Sequence, residues 1–259
     1  MSSSAEQFTR YQIANAPLRE YPFPHILVRD VFEPALYRRM VENLLPPALM
    51  RPIKEERSVG KGYSDDRYVF TLSRDKVGAL PQPYGAFWDE LTHWLLDAPF
   101  AVTLFNKFGT FIHQRFGDPQ PGFYNEALLV DDRVNYSLGP HSDTPSKVLT
   151  LLFYLPADDS HAHLGTSIYA PRDPSFRCPG GPHYPFELFD RIVTMPYLPN
   201  TLFAFFKNDN SFHGVEPVRD RDYRRHLLLY DIRCDLAKTP KPQAAAAGAA
   251  TSPRVEFTF

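Results

Sequence analysis

Two histidines and one aspartate attract attention because of their type and spacing. His141 and Asp143 lie two residues apart in the segment GPHSDTPSK, so on one extended strand their side chains leave the same face. His213 follows much later in the chain, in NSFHGVEPV. Two imidazoles and one carboxylate on one face of a metal leave other coordination positions open, an arrangement typical of non-haem Fe(II). The trio therefore predicts an iron centre with room for further ligands.

The predicted ligands lie at strand ends. Gly139 and Pro140 place His141 directly after the strand-like segment VNYSL. His213 follows NTLFAFF and leads into GVEPV, a turn-then-strand arrangement that can bring it back beside the first pair. The alternative is that both histidines are hydrogen-bonded loop residues and Asp143 is a cap. The spacing, the β context and a basic motif further along favour the metal site.

The second half of the chain is rich in short strands. At least six β-type runs follow Tyr124, separated by Gly, Pro, Asn and Asp: EALLVDDRVNY, KVLTLLFYL, GTSIYAP, IVTMPYL, NTLFAFF and RRHLLLYDIR. This density predicts a β-sandwich or jelly roll rather than βαβ units.

Helical patterns dominate the first half. A short strand is expected first and three helices after it, at 22–32, 33–45, 83–97 and 101–116, the last disturbed at Gly109. Residues 51–75 are polar, with one strand-like burst at 67–72, and are expected to form a surface loop or hairpin that could cover a site.

These patterns predict a mainly β protein with flanking helices (α+β). We expect a single domain over 1–237, with a helical layer at about 22–120 and the β core at about 124–235. The segment 238–259 is low in complexity and is expected to be a mobile tail.

Composition and charge exclude several classes of protein. The formal net charge of −2 gives no basic field for nucleic acid or an anionic membrane. Neither a signal-like N-terminus nor a long apolar run occurs, so we expect a soluble cytoplasmic protein. Cys178 and Cys234 form no metal or disulfide pattern and are expected to be free thiols. No oligomeric state follows from the sequence.

A basic pair follows the distal histidine. A 2-oxo acid chelating iron leaves its far carboxylate in the pocket, and arginine holds a carboxylate with two parallel hydrogen bonds. Arg224 and Arg225 begin the strand RRHLLLYDI, and only one of two adjacent strand residues can face inward. We predict Arg224, which shares a face with His226, and keep Arg225 as the alternative. Tyr136 could donate to the oxo-acid carboxylate or could be a core residue.

Taken together, PHSD, KVLTLLFYL, GTSIYAP, PNTLFAFF, SFHGVEPV and RRHLLLYDI resemble the 2-oxoglutarate/Fe(II)-dependent dioxygenase superfamily, in particular its prolyl-4-hydroxylase-like branch. The resemblance covers roughly 124–235. It implies a double-stranded β-helix (jelly roll), iron held by His141, Asp143 and His213, and 2-oxoglutarate and O2 as co-substrates. The chain departs from that branch where lysine commonly binds the co-substrate, and in having Thr166 after the first glycine of GTSIY.

The resemblance implies an oxygenase that releases succinate and CO2. Asp143 is retained where halogenating relatives carry a small residue, so we expect hydroxylation of a small metabolite or a natural-product or peptide intermediate. No catalytic side chain beyond the metal ligands is needed. Two alternatives remain: a non-catalytic jelly-roll module that binds a sugar or a partner, and a cupin-type metalloenzyme without an oxo acid.

Other polar residues carry weaker signals. His161 and His163 are expected to be solvated turn residues, and His183 structural or on the surface. The segment 175–190 is expected to shape the substrate entrance. Four basic residues could contact an acidic substrate but are more simply solvated: Lys61, Arg67, Lys147 and Arg172.

Overall fold

Two antiparallel sheets organise the chain, in a computed structural model that describes residues 4–59, 63–118 and 120–236. The strands are β1 His25–Arg29, β2 Arg51–Pro52, β3 Arg67–Thr71, β4 Phe123–Asp132, β5 Leu138–His141, β6 Lys147–Tyr154, β7 Thr166–Pro171, β8 Phe189–Met195, β9 Thr201–Phe206, β10 His213–Val215 and β11 Arg225–Cys234. The helices are α1 Ser4–Asn15, α2 Pro34–Glu42, α3 Ile53–Glu56, α4 Arg74–Gly78, α5 Tyr84–Leu95 and α6 Ala98–Phe116.

The larger sheet has the order β1-β9-β6-β11-β4-β3-β2. Its centre is a long ladder in which β11 pairs with β4 from Arg225↔Asp132 to Cys234↔Phe123 without a register shift. The smaller sheet has the order β5-β10-β7-β8. Neighbours far apart in sequence pair in both sheets, which is the connectivity of a jelly roll, as predicted.

The two faces of the larger sheet have different partners. One face packs under the helices, where Phe100 of α6 meets Tyr230 of β11 edge to face at a centroid distance of 5.2 Å. The other face turns toward the smaller sheet, with Leu227 and Leu229 in one core cluster with Ile168 of β7. Because β11 is buried on both sides, its side chains are apolar on both faces and show little alternation.

The three predicted helices are present as α2, α5 and α6, and the structure adds the short helices α3 and α4 and other features that the sequence did not predict. α6 runs unbroken through Gly109, where the space for a Cβ is open, and starts at an Asp97 side chain that accepts from the Ala98 amide. α1, which the polar N-terminal sequence did not predict, packs on α6. The burst at 67–72 forms β3, which joins the larger sheet beside β4 instead of standing apart as a hairpin.

None of the described helices is both long and apolar enough to cross a membrane. The low-complexity segment 238–259 lies outside the described residues. Cys178 and Cys234 are both buried and unpaired.

Candidate metal centre

The smaller sheet brings the three predicted metal ligands together. His141 ends β5 and His213 begins β10, and the two are direct cross-strand partners. Asp143 follows two residues after β5. The Nε2 atoms of His141 and His213 each lie 3.9 Å from a different carboxylate oxygen of Asp143, and the potential ligand atoms all lie within 4.8 Å of one another. All three side chains are buried.

Hydrogen bonds to the backbone fix both imidazoles. Nδ1 of His141 lies 3.0 Å from the carbonyl of Gly139, and Nδ1 of His213 lies 3.0 Å from the carbonyl of Ser211. A carbonyl only accepts, so Nδ1 carries the proton and Nε2 keeps its lone pair. Burial lowers the pKa of each imidazole, which favours the neutral form that binds metal.

The carboxylate is held in its ionised form. Burial alone would raise the pKa of Asp143, but Lys147 and the two imidazoles outweigh this, and the pKa falls below its usual range. Lys147 Nζ lies 3.3 Å from Oδ1, and the Thr150 hydroxyl donates to Oδ2 at 2.8 Å. Two neutral imidazoles and one carboxylate, each oriented by a second hydrogen bond, fit a divalent metal ion with nitrogen and oxygen ligands.

The loop 172–188 lies against the segment that carries His141 and Asp143. The Ser142 hydroxyl donates to the Cys178 carbonyl at 2.6 Å. Gly180 has φ +127°, and a Cβ there would collide with the carbonyl of Asp143. The same loop places the His183 ring 4.7 Å from that of His141. Gly181 and His183 of this loop line the cavity, so His183, expected to be structural or on the surface, is a wall residue, and the role of 175–190 at a substrate entrance stays a prediction.

A cavity of about 230 Å³ opens beside the three ligands. Its middle wall is apolar and formed by residues from both sheets: Leu128, Leu138, Leu152, Val215, Leu227 and Leu229. Every second residue of β11 reaches it, from Arg225 at one end to Arg233 at the other.

At one end of the cavity lies a buried cluster of two arginines on one carboxylate, which we call the inner site: Arg67, Asp132 and Arg225. Arg67 donates to both oxygens of Asp132, at 2.6 and 2.9 Å, and Arg225 Nη1 donates to one of them at 2.7 Å. Arg225 also donates to the Leu164 carbonyl and the Thr166 hydroxyl. The exposed fraction is 0% for the side chains of Arg225 and Asp132 and 8% for Arg67. Two cations thus share one anion away from water.

Arg224 points elsewhere, contrary to our choice between the two arginines. Its guanidinium pairs with Asp131 through both oxygens, on the opposite face of β4 from the inner site. The cavity wall includes Arg225 and not Arg224. The reason is the alternation of side chains along β11. Arg225 lies on the same face as the inward residues Leu227 and Leu229, whereas Arg224 lies on the opposite face with His226.

Tyr136 lies one layer behind the cavity wall. It is fully buried in the core between the sheets, and the Arg67 guanidinium stacks over its ring at 4.4 Å. Burial raises the pKa of its hydroxyl well above the usual value. Its position is that of a residue that supports Arg67.

The remaining polar candidates separate into two groups. Arg67 and Lys147 line the cavity, although solvation was the simpler expectation for both. Arg172 is exposed and pairs with Asp190, and Lys61 lies outside the described residues. His161 stacks on Tyr223, and His163 pairs with Asp220, so this histidine pair is a surface feature as predicted.

Comparison with known proteins rests on structure alone. No protein-family model matches the sequence, and no curated protein matches it. A prolyl 4-hydroxylase from Phytophthora capsici superimposes with a TM-score of 0.52 at 12% identity, over 93% of this chain and 69% of that one. A prolyl-4-hydroxylase from Pseudomonas putida gives 0.50 at 10% identity, over 88% and 98%. The resemblance expected from the sequence is thus confirmed at the level of architecture: the chain has the jelly-roll fold of the prolyl-4-hydroxylases.

Proposed function

We propose that this protein is an Fe(II)- and 2-oxoglutarate-dependent oxygenase that hydroxylates a small molecule. The observation that carries the proposal is the buried set of His141, Asp143 and His213, with both Nε2 atoms freed for a metal by the Nδ1 hydrogen bonds. When bound, iron with 2-oxoglutarate would supply oxidation of a substrate C–H bond to an alcohol, with O2 consumed and succinate and CO2 released.

The inner site supplies what a dicarboxylate co-substrate needs at its far end. Arg67 and Arg225 together carry one more charge than Asp132 neutralises, and a buried unpaired charge is costly. Arg225 donates to the Leu164 carbonyl, to Asp132 and to the Thr166 hydroxyl, one bond from each guanidinium nitrogen, and its side chain also lines the cavity. We therefore propose that Arg225, with Thr166 beside it, binds the distal carboxylate of 2-oxoglutarate.

The surrounding side chains keep the site dry and ordered. Leucines and Val215 form the wall between the inner site and the metal ligands, so a bound oxo acid lies against apolar surface. Thr150 and Lys147 hold the Asp143 carboxylate in place, which keeps its negative charge directed at the metal position. The protein's contribution is to position and to exclude water.

Anaerobic titration tests the assignment. Purified protein with Fe(II) and 2-oxoglutarate should develop a visible metal-to-ligand charge-transfer band, and with O2 and substrate it should release succinate. His141→Ala and Asp143→Ala should lose the band, because each removes a ligand. His163→Ala is the matched control, since His163 is an exposed histidine paired with Asp220, and it should keep the band. A full band in either ligand variant would contradict the proposal.

The same titration separates the alternatives. A carbohydrate- or partner-binding module would bind no 2-oxoglutarate with iron. A metalloenzyme without an oxo acid would bind iron but show no band on addition of 2-oxoglutarate. Neither alternative explains the extra positive charge of the inner site.

A further inference from the structure

The opposite end of the cavity repeats the composition of the inner site. Arg57, directly after α3, and Arg233 of β11 both donate to Oε1 of Glu126, at 3.0 and 2.7 Å. We call Arg57, Glu126 and Arg233 the rim site. Both arginines line the cavity, and their side chains are 24% and 18% exposed, so the rim site is open to water where the inner site is not.

A chain of ion pairs connects the rim site to the metal centre. Lys147 lies 3.3 Å from Asp143 and 3.1 Å from Asp231, and Arg233 lies 3.6 Å from the other oxygen of Asp231. Once a metal ion takes the charge of Asp143, three cations (Arg57, Lys147, Arg233) face two carboxylates (Glu126, Asp231). This end of the cavity therefore carries one positive charge in excess.

Arg57 also has an unused donor. Its Nε is buried and has no hydrogen-bond partner among the described residues, while Nη1 is held by Glu126. A buried N–H without a partner is unfavourable, and the planar guanidinium favours a carboxylate. The neighbours Ser58 and Val59 line the same part of the wall.

One oxo acid cannot serve both ends. Arg225 and Arg233 lie eight residues apart on β11 and both face the cavity, a separation of about 26 Å at ~3.3 Å per residue. A five-carbon diacid held at the inner site and on the metal falls far short of Arg57. The rim site is left for a second ligand, on the other side of the metal ligands.

We propose that the substrate is a small molecule bearing a carboxylate, which binds to Arg57 and Arg233 while its apolar part extends along the leucine wall toward the metal. This inference rests on the proposed function and adds the substrate class to it.

The test uses matched probes that differ only in charge. Monocarboxylic acids and the corresponding primary amides, for example N-acetyl-leucine and N-acetyl-leucinamide in a panel of acyl and aromatic analogues, are titrated calorimetrically into protein holding Fe(II) and saturating 2-oxoglutarate without O2. Acids should bind and their amides should bind about tenfold more weakly or not at all, because a charge-assisted hydrogen bond is lost. An absence of any preference for the acids would overturn the inference.

Two variants test whether the acids bind at the rim site. Arg57→Gln and Arg233→Gln should each weaken acid binding about tenfold or more and leave amide binding and the 2-oxoglutarate band unchanged. Arg39→Gln is the control, since Arg39 is likewise paired with a carboxylate, Glu90, on the surface of α2. Unaltered acid binding in both rim variants would overturn the assignment. Arg57 lies at the rim after a four-residue helix, so Arg57→Gln stays informative if Arg233→Gln unfolds.

The charge-transfer band distinguishes a failure of the proposed function from a failure of the proposed substrate class. If the band never forms in the parent protein, the proposed function fails. If the band forms but acids bleach it, they compete at the inner site, and only the substrate inference fails. A band that persists while acids bind supports both.

Discussion

The inner site and the rim site are built from the same residue types, two arginines and one carboxylate, but differ in their exposure to water. In each, two arginines share one carboxylate of β4, and one of the arginines belongs to β11. The inner carboxylate, Asp132, is fully buried, whereas Glu126 at the rim is 25% exposed. Because the rim is more exposed to solvent, its excess charge is screened more strongly than that of the inner site. The inner site therefore suits a ligand bound in every turnover, and the rim site suits a ligand that exchanges.

The largest expected difference is in stability. Asp132→Asn removes the only carboxylate that the inner site contains and leaves two buried guanidinium groups unpaired. We expect the free energy of unfolding to fall by about 3–5 kcal/mol. Glu126→Gln makes the matching change at the rim and should cost only about 1 kcal/mol or less. Urea unfolding of both variants measures the contrast, and equal losses would contradict it.

Of the two arginine sites, only the inner site should affect the binding of 2-oxoglutarate. Arg225→Gln leaves Arg67 and Asp132 as a balanced pair, so the protein should fold, but 2-oxoglutarate should bind roughly 30-fold more weakly or worse because a buried charged contact is lost. Arg225→Lys keeps the charge without the planar fork and should recover only part of the affinity. Arg224→Gln should change the affinity less than about twofold, because its guanidinium pairs with Asp131 outside the cavity. Titration of the charge-transfer band gives all three values.

Salt gives the smallest effect and requires no mutation. Raising the ionic strength from about 0.1 M to 1 M shortens the Debye length from about 10 Å to 3 Å. Acid binding at the partly exposed rim should weaken several-fold, whereas 2-oxoglutarate binding at the buried inner site should change about twofold or less. Calorimetry at the two salt concentrations measures both, and a greater salt dependence for 2-oxoglutarate would reverse the comparison.

The three candidate metal ligands could be identified from the sequence because their evidence is local. His141 and Asp143 share a face through the period of an extended strand, and His213 follows a recognisable strand and turn. The structure pairs His141 with His213 directly across β5 and β10. The many short strands likewise indicated a jelly roll, since that pattern depends on composition and turn residues rather than on long-range contacts.

The arginines could not be assigned in this way. The side of β11 on which Arg224 lies depends on strand phase, and phase is read from alternation between polar and apolar residues. β11 is covered by helices on one face and by the smaller sheet on the other, so Leu228 and Leu229 are equally apolar although they point in opposite directions. Without a solvent-facing side, the sequence contains no signal that distinguishes Arg224 from Arg225.

Contacts between distant segments account for the other differences. Arg57 and Arg67 lie in a polar stretch that has the composition of a surface loop, and only their pairing with Glu126 and Asp132 on β4 brings them to the cavity. His183 reaches the metal ligands because Gly180 allows the loop backbone to approach Asp143 closely. Such proximity is a property of the fold and has no local pattern.

The uninterrupted β4–β11 ladder has a consequence for regioselectivity. Both arginine-carboxylate sets are fixed to the same rigid pair of strands, so their spacing cannot adapt to the ligand. A molecule tethered by its acid group would then present to the oxidant whichever carbon lies at the matching number of bonds from that group. The spacing along the ladder would thus set the position of oxidation: a substrate lengthened by one methylene should carry its new hydroxyl at the same number of bonds from the acid group, and therefore one position further from its other end.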